Sequence, residues 1–389
     1  MVFSNIEFKN FSQKKNNLKI KKILTKLFGD YFKGNNQILL SLSNKYKYKS
    51  RFQKFKKYKK FKEFKLFGIG GSILGAEAIY FFLKEKIKKK FIFTSDINFH
   101  RNKNLKSKQM NIIISKSGNT LETLANFNSE KIKKNCLFIT ENKESYIRSL
   151  ALKLKSEIVD HNNFIGGRYS VLSETGMIPA FFMGLKPNKF KSLDSLIASK
   201  KFINYLTHNV SSILSFHQNQ KNNSIILNYD KNSSNLFYWY QQLVAESLGK
   251  SSKGVLPIIS SVPKDNHSLM QLYLDGFKKN FFTFFYVKND TAKKIDNQTL
   301  LKSHNYLKNK KMTDILYAQF RATQQVFQKK KIPFRSFVIK KRDEKTLGEL
   351  FAFFILETIL LGKALQINPY NQPSVELIKK NTIKILKKN

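Results

Sequence analysis

The sequence predicts an α/β protein in which two SIS-like subdomains each carry a parallel sheet flanked by helices, with helical segments at both ends of the chain. Three observations predict it. From residue 63 onward, short runs that are apolar on both faces alternate with helix-patterned segments: EFKLF (63–67), KFIFTS (90–95), NIIIS (111–115) and CLFIT (136–140). Parallel strands read this way because helices bury both of their faces. After a polar stretch near 186–223, a second and weaker series follows, with SIILNY (224–229), GVLPIIS (254–260), FFTFFYV (281–287) and FRSFVIK (334–340). At 389 residues with 41% hydrophobic content, the chain can fill two cores.

Taken in order, residues 1–62 form a basic N-terminal segment of helical pattern, broken near GDYFKGNN. The first subdomain spans 63–200, with helices expected over 73–89 and 120–134. The second spans 201–345, with helices near 234–248, 267–277 and 311–328. Residues 346–389 make a C-terminal helical arm. Within it FAFFILETILLGKAL (351–365) carries Glu357 yet reads as a core helix, and the turn INPYNQPS leads to a lysine-rich terminal helix. One stretch resists this scheme. RFQKFKKYKKFKEFK (51–65) places an aromatic at every third residue. That spacing drifts around an α-helix and fits no strand, so a surface segment over a sheet edge is expected.

The formal charge of +45 admits nucleic acid, an anionic membrane or anionic small molecules. Only seven of the 71 basic residues are arginine (Arg51, Arg101, Arg148, Arg168, Arg321, Arg335, Arg342), whereas bidentate reading of bases favours arginine. No nucleic-acid partner is expected, and AT-rich coding accounts for the lysine, asparagine and isoleucine load. The N-terminus has no signal-peptide pattern and no uncharged run reaches spanning length, which points to the cytoplasm and to no membrane partner. A single cysteine, Cys136, excludes a disulfide framework and reads as a buried thiol on a strand. The six histidines show no metal-ligand spacing, so neither a metal nor a cofactor is expected.

The densest chemistry lies in NIIISKSGNTLETLANF (111–127), where a buried strand ends in Ser115, Lys116, Ser117, Gly118, Asn119 and Thr120. Ligands bind at the carboxyl ends of parallel strands, and a helix start offers free N–H groups and a positive dipole end. With Asn119 as cap and Glu122 completing a capping box, the hydroxyls of Ser115, Ser117 and Thr120 are left to hold an anion. A second glycine-rich turn, GIGGS (68–72), contains Gly70, Gly71 and Ser72. It is not the dinucleotide fingerprint, since Ile73 occupies the last glycine position.

GIGGS (68–72), SKSGNTLET (115–123), GGRYSVLSETG (166–176), ESLGK (246–250), DNH (265–267) and QPSVELIKK (372–380) occur in that order. Together they resemble the glucose-6-phosphate isomerases, built on two sugar-isomerase (SIS) domains, from about residue 64 to the end. The resemblance implies an aldose–ketose isomerase acting on glucose 6-phosphate and fructose 6-phosphate through a cis-enediolate. It assigns proton transfer to Glu246, stabilisation of the enediolate to Arg168, and ring opening to His267 and Lys379. Substrate and phosphate binding fall to Gly70, Gly71, Ser72, Ser115, Lys116, Ser117, Thr120, Gly167 and Gln372. It further implies a homodimer in which His267 is contributed across the interface. Read without the family, Glu246 sits near a helix C-terminus among apolar neighbours, where burial and dipole disfavour its charge, while Lys250 one turn on would pull the other way. His267 is expected to start a helix behind Asn266, which would keep its imidazole neutral. Ser374 and Ile378 replace glycines expected in parts of the family. A bifunctional phosphoglucose/phosphomannose isomerase and a non-catalytic SIS-domain sugar-phosphate regulator remain as alternatives.

Overall fold

The structure, a computed structural model, describes residues 3–12, 17–97, 109–130, 134–289 and 292–388; His100 and Arg101 lie outside them. Its strands are β1 (Ile6–Lys9), β2 (Glu63–Phe67), β3 (Lys90–Thr94), β4 (Gln109–Ile114), β5 (Cys136–Glu141), β6 (Glu157–His161), β7 (Asn223–Asn228), β8 (Leu256–Ser261), β9 (Asn280–Val287) and β10 (Phe334–Ile339). They form two five-stranded sheets. The first, in the order β3-β2-β4-β5-β6, is parallel throughout. The second has the order β1-β10-β9-β7-β8, with four parallel strands and β1 added antiparallel at one edge.

The parallel strands that the sequence predicts are present because their residues are apolar on both faces. All eight residues of β9 are buried. β1 departs from the helical expectation for residues 1–62. Ile6 is buried, Phe8 half-buried, and Glu7 and Lys9 face water. That is a two-residue alternation suited to an edge strand and too short to stand out in a basic segment. The polar stretch near 186–223 also conceals a nineteen-residue helix, Lys200–Gln218, which buries Phe202, Leu206, Val210 and Ile213 on one side.

The period-three segment has a direct explanation. Residues Phe52–Lys60 form a 3₁₀ helix, whose three residues per turn stack side chains i and i+3 on one face. Phe55 is fully buried. Phe52 packs on Phe181, and Phe55 and Tyr58 meet Phe182 edge-on, at ring-centroid distances of 5.3, 6.4 and 6.3 Å. Phe64 of β2 stacks on the same Phe182 ring at 5.0 Å. These rings therefore face the core rather than offering a stacking platform to single strands, and the lysines between them form the solvated side.

Beneath the second sheet lies a buried ion pair. Arg335 of β10 and Glu357, on helix Glu344–Ala364, are both almost fully buried. Arg335 also donates to Thr283 of β9 at 2.9 Å and to Asn209 at 2.8 Å, while Tyr240, on helix Ser234–Leu248, donates to Glu357 at 3.0 Å. One guanidinium thus ties two strands to three helices. Breaking a buried pair leaves an uncompensated charge. Glu357→Leu should lower unfolding free energy by about 3–5 kcal/mol in chemical denaturation, with much of the loss recovered by adding Arg335→Met. A loss below about 1 kcal/mol in the single variant would show that the pair is dispensable.

Candidate active site

In the first sheet the chain runs from β2 outward to β3, then returns to the other side of β2 and continues through β4, β5 and β6. The order therefore reverses between β2 and β4, and the crevice at the carboxyl ends of those two strands is where α/β sheets bind ligands. Both motifs singled out in the sequence end there. GIGGS follows β2, and SKSGNT follows β4. The loops are adjacent: a Cβ on Gly68 would lie 3.2 Å from the carbonyl oxygen of Ile114.

Within the second loop, Ser115 is fully buried. Its hydroxyl lies 2.8 Å from Thr120 Oγ1 and accepts from the Gly118 N–H at 3.1 Å. The expected capping box is absent. The cap position of helix Leu121–Asn128 is Thr120, and no side chain caps it. Asn119 instead accepts from the N–H of Tyr146 at 3.0 Å, so it serves the start of the next helix, Tyr146–Lys153. The first N–H groups of Leu121–Asn128 are thereby left without a side-chain cap, as a helix start that receives an anion requires.

The glycine loop connects this crevice to the second half of the chain. Gly71 lies so close to the backbone of Gly167 that a Cβ there would sit 2.2 Å from the Gly167 carbonyl carbon, while one on Gly70 would meet Gln242 Nε2 at 2.7 Å. Gln242 donates to Glu246 Oε1 at 2.9 Å. Both lie one turn apart on helix Ser234–Leu248.

Beside them Arg168 is 2% exposed, and all five of its N–H donors are engaged. Nε donates to Ser247 Oγ at 2.8 Å. Nη1 donates to Glu246 Oε2 at 3.2 Å and to Gln372 Oε1 at 2.6 Å. Nη2 donates to the carbonyls of Pro369 at 2.8 Å and Asn371 at 3.2 Å. Glu246 keeps 29% of its side chain exposed, so the carboxylate is held on one side and open on the other. Lys250 does not pair with it. Its Nζ donates to the carbonyls of Ser247 at 3.0 Å and Asn368 at 2.6 Å. Burial, reinforced by the nearby Arg168 charge and opposed by Glu246, pushes the Lys250 ammonium down to about 8.

The structure thus gathers Gly70, Gly71, Gly167, Arg168, Glu246 and Gln372, with Ser72, Ser115 and Thr120 on the adjoining loops. Ser117 is exposed on the second of these loops. Lys116 is drawn aside, 3.4 Å from Glu141 and donating to the Asn163 carbonyl at 3.0 Å. His267 does not start a helix. It ends the 3₁₀ turn Lys264–His267, is exposed, and precedes the six-residue helix Met270–Asp275. Asp265 rather than Asn266 organises this turn, accepting from Ser260, Ser268 and the Ser261 N–H. Lys379 lies on helix Pro373–Leu386, which buries none of its residues, and pairs with Glu376 at 2.9 Å. It stands seven residues, about 10 Å of helical rise, beyond Gln372. Nothing in the local sequence marks Ser247 or Tyr169 as part of the site. Gln242 had one usable signal, its position four residues before Glu246 on the same helix face.

The model of the phosphoglucose isomerase family matches residues 45–389. The chain belongs to the phosphoglucose isomerase family. Glucose-6-phosphate isomerase of Methanocaldococcus jannaschii is 30% identical over 339 residues, covering 82% of this chain and 83% of the relative. That of Mycoplasmopsis pulmonis is 31% identical over 354 residues, covering 82% of each. Among solved structures, a hypothetical protein from Thermus thermophilus superposes with a TM-score of 0.82 at 22% identity, over 94% of both chains. A glucose-6-phosphate isomerase from Chlamydia trachomatis gives 0.68 at 18% identity, over 97% of this chain and 80% of that one. For this member of the phosphoglucose isomerase family, the site depends on loops that touch backbone to backbone. Gly71→Ala should cost at least about 2 kcal/mol of stability, since neither backbone can yield cheaply. Gly29→Ala, in helix Leu18–Phe32 with nothing within 4 Å of its Cβ position, should gain about 0.5–1 kcal/mol. Thermal or urea unfolding of both variants checks the contrast, and equal effects would contradict it.

Proposed function

We propose that this chain reversibly isomerises glucose 6-phosphate to fructose 6-phosphate through a cis-enediolate, in the cytoplasm and within glycolysis and gluconeogenesis. The observation that carries the reading is the placement of Glu246, a half-open carboxylate clamped by Arg168 and Gln242, beside the switch-point loops. The phosphate is held at 115–120 by the hydroxyls of Ser115, Ser117 and Thr120 and the uncapped helix start, with Ser72 and the Gly70–Gly71 backbone completing the cradle. The open-chain sugar then extends towards Glu246.

Glu246 takes the proton from carbon 2 of the aldose. The C–H electron pair becomes the C1=C2 bond, and negative charge passes to the oxygen on carbon 1. The proton returns to carbon 1, and the hydroxyl proton on oxygen 2 moves to oxygen 1, giving the ketose. Arg168 fits this step in a specific way. As Glu246 becomes neutral its hold on Nη1 weakens, at the moment an anion forms on the substrate. The guanidinium therefore faces one negative charge before and after transfer, without reorganisation. Gln372 orients the sugar alongside Arg168. His267 and Lys379 act at ring opening. Since neither is packed at this site within one chain, the active form is a homodimer in which a second copy supplies His267. Acceptance of mannose 6-phosphate is a second reading, and a regulator without catalysis is disfavoured by the clamped carboxylate.

Purified protein should interconvert the two sugar phosphates in a coupled assay. Glu246→Gln should lower kcat by about 10³ or more while leaving the inhibition constant of a non-reacting sugar phosphate within threefold. Wild-type-like turnover in that variant would refute the assignment. Mixing and refolding Glu246→Gln with His267→Ala should restore about a quarter of wild-type activity, because half of the dimers are mixed and each has one intact site. No restoration would refute the shared site.

A further inference from the structure

Ser247 sits immediately after Glu246, is fully buried, and takes no part in the proton transfer described above. Its surroundings fix the direction of every proton around it. Arg168 has no acceptor, so Nε–H donates to Ser247 Oγ at 2.8 Å. Tyr169 Oη donates to the Pro369 carbonyl at 2.9 Å. The Ser247 hydroxyl, 2.8 Å from Tyr169 Oη, therefore donates to Tyr169. Pro369 O also accepts from Arg168 Nη2 at 2.8 Å, which closes the ring. The circuit runs from Arg168 Nε through Ser247 and Tyr169 to Pro369 O, and back to the same guanidinium. Burial pushes the Tyr169 phenol up, so it keeps its proton.

This ring occupies the Nε/Nη2 edge of the guanidinium. A planar group with one edge fixed has no rotational freedom left, so the opposite nitrogen, Nη1, can point only at Glu246 and Gln372. We infer that Ser247 is a positioning residue for the reaction: its hydroxyl, by accepting from Arg168 Nε and donating to Tyr169, aims Nη1 at the Glu246 carboxylate. This rests on the proton-transfer role proposed for Glu246. Without Ser247 Oγ the Nε–H is buried without an acceptor, the guanidinium turns to find one, and Glu246 loses its cationic partner. The base and the enediolate it generates then lose the cation they share, so the loss falls on kcat rather than on KM.

Ser247→Ala is the direct test, read as kcat and KM beside wild type. The expected result is a kcat about tenfold lower with KM within about twofold, the signature of an interaction lost in the transition state rather than in binding. Ser247→Thr, which keeps the oxygen, should return kcat to within about twofold of wild type. If the alanine variant does not fold, Ser247→Cys fills the same space with a weak acceptor and should lower kcat in the same direction with KM unchanged. A wild-type kcat in Ser247→Ala or Ser247→Cys, or a lowered kcat that Ser247→Thr does not restore, would overturn the inference and leave Ser247 with a structural role only. Failure of the isomerase reading itself is separately visible, as absence of turnover in the wild-type protein.

Discussion

The Arg168 guanidinium is the constraint on which the site depends. Its five N–H donors reach a serine and a carboxylate on helix Ser234–Leu248, two carbonyls of the turn after helix Glu344–Ala364, and the glutamine that begins the terminal helix. The backbone carrying Arg168 is itself pressed against the glycine loop that follows β2, with no room for a Cβ between them. Four segments far apart in the chain thus share one planar cation. Lysine could not substitute. Its three donors radiate from a point, whereas this geometry needs two parallel bonds on one edge and two acceptors opposite.

Arg335 does for the second sheet what Arg168 does for the site, and the same helix is held by both. Tyr240 meets the Arg335–Glu357 pair, and Glu246, about a turn and a half further on, meets Arg168. The two arginines are among the largest fully buried side chains of the protein. In a chain with few arginines, both of these anchor a single helix from beneath and from its end. The carboxylate at its tip is therefore supported by the core of the second sheet as well as by its own neighbours. The proton-transfer role proposed for Glu246 needs such backing, since a reacting group must be placed within a few tenths of an ångström.

How far the sequence could be read depends on the kind of information each element carries. The parallel strands were legible because burial on both faces writes an unbroken apolar run, as in NIIIS and FFTFFYV. Strands β1 and β6 were not, being short and mixed with charge. Helix Lys200–Gln218 hid behind Asn209, Ser211 and Ser212, which are buried but satisfied, the serines by the carbonyls four residues earlier. The period-three aromatic run was visible in the sequence and was expected at a sheet edge; a 3₁₀ helix is rarely so long, and only packing against Phe181 and Phe182 reveals it. At the site, glycine loops and clustered hydroxyls announce themselves by composition. Gln242 and Ser247 are ordinary residues set apart only by what they touch in the fold, Glu246 for the first and Arg168 for the second.

The distribution of positive charge follows the same division between what is fixed and what is diffuse. The lysines nearest the site are engaged elsewhere: Lys116 beside Glu141 and the Asn163 carbonyl, Lys250 on the carbonyls of Ser247, in the last turn of the preceding helix, and of Asn368. None of the described contacts makes a lysine the counter-ion of Glu246; that position belongs to Arg168. The large net charge therefore acts as a field around the molecule, raising the local concentration of anionic sugar phosphates in a manner that salt screens within about 10 Å. On the function proposed above, discrimination within the crevice is left to backbone N–H groups, hydroxyls and one guanidinium. Lys250, whose ammonium burial pushes down to about 8, is held on backbone carbonyls rather than on the carboxylate, so the direct contact to the base proposed here is the guanidinium's.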